Sequence, residues 1–92
     1  MTTYNYMSEM QQLCFRATKA LKELGDDGLY DFYAAAEKGF DATANSLPYE
    51  EANKDINQSQ TDAFINLKDF VEDKEYKAAE KIKEVANENI RY

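Results

Sequence analysis

From Tyr6 to Leu24 an apolar side chain returns at every third or fourth position. The series is Tyr6, Met10, Leu13, Ala17, Leu21 and Leu24, with Met7 and Cys14 beside it. That spacing belongs to a helix that buries one stripe, and no stretch of the chain alternates as a half-buried strand would. Thr2, Thr3 and Asn5 can each cap its start. Gly25 stands one past the last apolar residue, where a helix commonly ends in the left-handed region, and Lys19 and Lys22 suit the negative end of its dipole. The first constraint is therefore a long amphipathic helix, and an all-α fold follows if the rest of the chain reads the same way.

It does. Asp26 or Asp27 can cap a second helix with the stripe Leu29, Tyr33, Ala36, Phe40, Ala44 and Leu47, widened by Phe32. Asp27 and Asp31 lie on its opposite face near the positive end. Ala34, Ala35, Ala36 and Gly39 make a small-residue patch that lets another helix approach closely. Pro48 ends this helix and suits the first position of the next. Residues 48–73 read as one helix with Tyr49, Ala52, Ile56, Ala63, Leu67, Phe70 and Val71 on its apolar side. Its middle, 57–62, holds no apolar residue, and Ser59 or Thr61 can start a fresh helix there. At ~100° and ~1.5 Å per residue, Glu51, Asp55, Asp62, Asp69 and Asp73 form a row about 33 Å long, clear of the stripe.

A last helix reads Tyr76, Ala79, Ile82, Val85, Ala86 and Ile90. Between it and Val71 lies Glu72-Asp73-Lys74-Glu75. The spacing of Phe70, Tyr76, Ala79 and Ala86 resembles the hairpin of a tetratricopeptide repeat. Leu67 stands where that family has a small glycine, and the chain has no second copy to stack on. The resemblance implies a short antiparallel turn at 72–75 and no function. With three Gly and one Pro for turns, the expected fold is a single-domain bundle of four to five helices over residues 1–92, sequence neighbours mostly antiparallel.

Composition removes several kinds of chemistry. There is no His and one Cys, so nucleophile–base pairs and zinc sites are missing. There is no glycine-rich phosphate loop. Asp55-Ile56-Asn57-Gln58-Ser59 begins like a calcium loop, but Gln60 replaces the turn glycine and Asn66 the bidentate Glu. Cys14 lies inside the first stripe as a small apolar side chain. No catalytic residue, metal or cofactor is expected, and the protein is read as no enzyme. The lone Cys14, the absence of a basic-then-apolar leader and the lack of an ~18-residue apolar run point to a soluble, cytoplasmic protein.

The net charge is −7, which disfavours direct contact with nucleic acid or anionic lipid. The acid excess is concentrated in residues 26–73, which hold twelve acids against three bases. The expected function is that of a small acidic inhibitor or regulator that binds a basic protein, such as a nuclease or other nucleic-acid-handling enzyme. Its partner-binding residues would be Glu51, Asp55, Asp62, Asp69 and Asp73, joined by Asp27, Asp31 and Asp41 if the second and third helices pack side by side. Tyr30, off the stripes beside acid, would add an interface aromatic, as Tyr4 and Tyr92 would. In size and charge the chain is similar to the DNA-mimicking anti-CRISPR and anti-restriction proteins of phages and mobile elements, with no shared motif. The alternative is a homo-oligomeric adaptor, a homodimer joined through the Ala34–Gly39 patch and loose tyrosines.

Overall fold

The computed structural model describes the backbone of residues 1–90 and the side chains of residues 1–85. Ala86, Ile90 and Tyr92, named above, lie outside the described side chains. Four helices follow one another: α1 (Thr3–Leu24), α2 (Asp27–Ser46), the single turn α3 (Tyr49–Ala52) and α4 (Gln58–Ile90). The all-α bundle expected from the stripes is what forms, with no strand among the described residues.

α1 is the centre. Its N-cap Thr2 accepts the Asn5 N–H at 3.2 Å. It ends in a Schellman turn: Gly25 at φ 74 donates to Lys22 O, and Asp26 N donates to Leu21 O at 3.1 Å. Asp26 also caps α2, its Oδ1 accepting from Leu29 N. The chain thus reverses with almost no loop, and α2 runs back along α1. Apart from Val71 and Ala78, every fully buried residue described belongs to α1: Tyr6, Met10, Leu13, Cys14, Ala17, Thr18, Ala20 and Leu21. That set spans more than one stripe because α1 is covered from two sides, by α2 and by α4. α2 buries no residue completely. Leu29, Tyr33 and Phe40 pack on the core half-buried, while Phe32 is 64% exposed and does not widen the stripe.

Residues 48–73 are not one helix. α3 lasts a single turn, Tyr49 is 85% exposed, and residues 53–57 cross the start of α1. There Lys54 O accepts from Thr3 N at 2.7 Å and from Thr3 Oγ1 at 2.9 Å, while Ile56 N donates to Met1 O at 3.0 Å. These bonds form an antiparallel bridge between Thr2 and Asp55. The break serves two needs. It satisfies a backbone donor that the first turn of α1 leaves open, and it lets Ile56 reach the core. Asn57 then restarts the helix: its Oδ1 accepts from Gln60 N at 2.9 Å, and Gln60 Oε1 accepts from Asn57 N at 3.0 Å, a reciprocal capping box.

The turn expected at 72–75 does not form either. α4 runs unbroken from Gln58 to Ile90, parallel to α1, as the pairs Arg16–Glu75 and Glu23–Lys81 require. The apolar phase is Phe64, Leu67, Val71, Ala78, with Val71 at 0% and Ala78 at 6% exposure. Tyr76, which opens the last apolar series of the sequence, is 68% exposed and starts no new buried stripe. Glu75 occupies a stripe position because Arg16 meets it there, at 3.0 Å from Nε and 2.6 Å from Nη2. No helix among the described residues is long and apolar enough to cross a membrane.

Asn57→Ala removes the cap that restarts α4 and should cost about 1 kcal/mol, lowering Tm by about 5 °C for a domain of this size. Tyr49→Ala, on a helix turn that buries little, should stay within ~0.5 kcal/mol of the parent. Thermal unfolding followed by circular dichroism checks both; the opposite ranking would restore a continuous helix through 48–73.

Candidate interaction surface

The break and the missing turn together re-register the acid row. With Val71 taken as facing the core, Asp62, Asp69, Asp73, Glu80 and Glu84 all fall within ~40° of the opposite direction on α4. Their spacing is seven, four, seven and four residues, so the row spans about 33 Å. All five are exposed. Asp62 accepts from Gln58 Nε2 at 2.9 Å and Asp73 pairs with Lys77 at 3.0 Å. Asp69 has no ion pair among the described residues. Beside the row, ~40–60° round the helix, lie Ile65 and Tyr76, exposed at 49% and 68%. Carboxylates interleaved with a large aromatic and an aliphatic side chain form a surface suited to a protein interface.

The other expected residues do not join this face. Glu51 sits on α3, held by Lys54 at 2.9 Å. Asp55 lies in the bridge to Thr2. Both are exposed, but the turn at 53–57 takes them off the axis of α4. Asp27, Asp31 and Asp41 are exposed on α2. α2 and α4 meet chiefly where Tyr33 stacks on Phe70, ring centroids 5.2 Å apart, and α1 rather than α4 is their main neighbour. The side-by-side packing that would merge their carboxylates is therefore absent. Tyr30 is half-buried against the core, and Tyr4 is 47% exposed. A turn at 72–75 would end the row at Asp73, so Glu80 and Glu84 join it only in the unbroken α4. The seven–four repeat from Asp62 through Asp73 already pointed to them, and only an unbroken helix was needed to extend it.

Elsewhere the titratable groups have structural explanations. Burial, and next the charge of Glu37, push the Cys14 thiol up to about 11. Hydrogen bonding to Arg16 holds the Glu75 carboxyl below the usual carboxylate range against some desolvation, and the same bond raises Arg16. Among the described residues no three His, Cys, Asp or Glu side chains converge as metal ligands would. Ala36 and Gly39 line an open groove with Met7, Phe40 and Thr43, and a Cβ built at Gly39 would meet nothing within 4 Å. No protein-family model matches this chain, and no curated protein or solved structure does so either.

Two measurements check this electrostatic picture. A protonated, buried Cys14 should react with a thiol reagent slowly in the native protein and rapidly in denaturant, with native labelling limited by opening of the fold. Glu75 has a lowered folded pKa, so its contribution is present above the unfolded value of ~4.3 and is lost as pH falls through the folded one. The stability gap between parent and Glu75→Gln, from urea unfolding, should therefore be larger at pH 6 than at pH 3.

Proposed function

We infer that this protein works by binding, as a small acidic inhibitor or regulator of a basic, nucleic-acid-handling protein. What supports this is the outer face of α4, where Asp62, Asp69, Asp73, Glu80 and Glu84 stand in one exposed row beside Ile65 and Tyr76. Four- and seven-residue spacings put neighbouring carboxylates ~6 and ~10 Å apart. A DNA strand presents a phosphate every ~3.4 Å of axis. The row is sparser but has the sign, straightness and length to lie along a channel lined by Arg and Lys. Tyr76 and Ile65 would supply the apolar contact that fixes register, since charge alone mostly speeds encounter. Inhibition would follow from occupying the channel, in the manner of anti-CRISPR and anti-restriction proteins of phages, in the cytoplasm where Cys14 stays reduced. A second reading, a homo-oligomeric adaptor joined through the Ala34–Gly39 patch, has the unfilled space over Gly39 in its favour.

The test is affinity capture from cell lysate with the immobilised protein, identified by mass spectrometry. Basic nucleic-acid enzymes should be enriched at low salt, reduced at about 0.5 M salt, and lost with Asp69→Lys/Glu80→Lys, both on the solvent face. A captured set that is unchanged by the double reversal removes the proposed role of the row.

A further inference from the structure

We draw no further inference here: the strongest candidate, the apolar end of α4 past the last turn of α1, where Ile82 and Val85 are 54% and 50% exposed, carries none because nothing in the structure shows what covers it.

Discussion

The arrangement depends on burying α1 from two sides. A helix of this length with one apolar stripe would need one neighbour; α1 carries apolar or small residues around nearly half its circumference, from Ala20 and Leu13 through Ala17 to Cys14 and Thr18. Covering that width requires two partners, and the chain supplies them by different means. α2 is delivered by the tight Gly25–Asp26 reversal and packs antiparallel. α4 must run parallel to α1, so the chain first has to travel the length of α2 and cross back. The crossing is the 53–57 segment, and it is held by hydrogen bonds to the first residues of α1.

The same requirement explains why so few side chains outside α1 are fully buried. α2 and α4 each offer one face to α1 and little to each other, so their inward residues remain half-exposed at the edges. The Tyr33–Phe70 stack joins them where they approach. The contact of α1 with α4 carries a charged pair, Arg16 with Glu75, at its margin, with the two side chains 43% and 40% exposed. At that exposure the pair adds little net stability but fixes the register of two parallel helices, since a one-residue slide would separate both bonds. Register in turn decides how much of α4 extends past α1, and so how much of its apolar stripe is left uncovered.

The outer face of α4 owes its straightness to that register as well. One unbroken helix aligns carboxylates that the sequence spreads over residues 62–84, and within it Glu75 is accommodated by Arg16 rather than turned out. Acid at Glu51 and Asp55 shares the same spacing, yet the crossing segment removes it from the row. Much of the stripe of α1 and its capping at Gly25 was legible in the sequence, because both are set by neighbours within a few residues. The seven–four acid repeat was legible too, but its true extent was not.

Local chemistry by itself determined that this chain is helical, where α1 stops, where α2 begins and ends, and that acid crowds its middle. Periodicity, Gly25, Asp26 and Pro48 act over one or two turns, so no distant contact is needed to read them. Only tertiary structure decided that residues 48–73 break and that 72–75 do not. The break at Asn53–Asn57 is stabilised by Thr2 and Thr3, some fifty residues away. The continuity through Glu75 is stabilised by Arg16, 59 residues away. A helix former without a partner and a helix former with one look alike in sequence; the partner's position in space is what separates them.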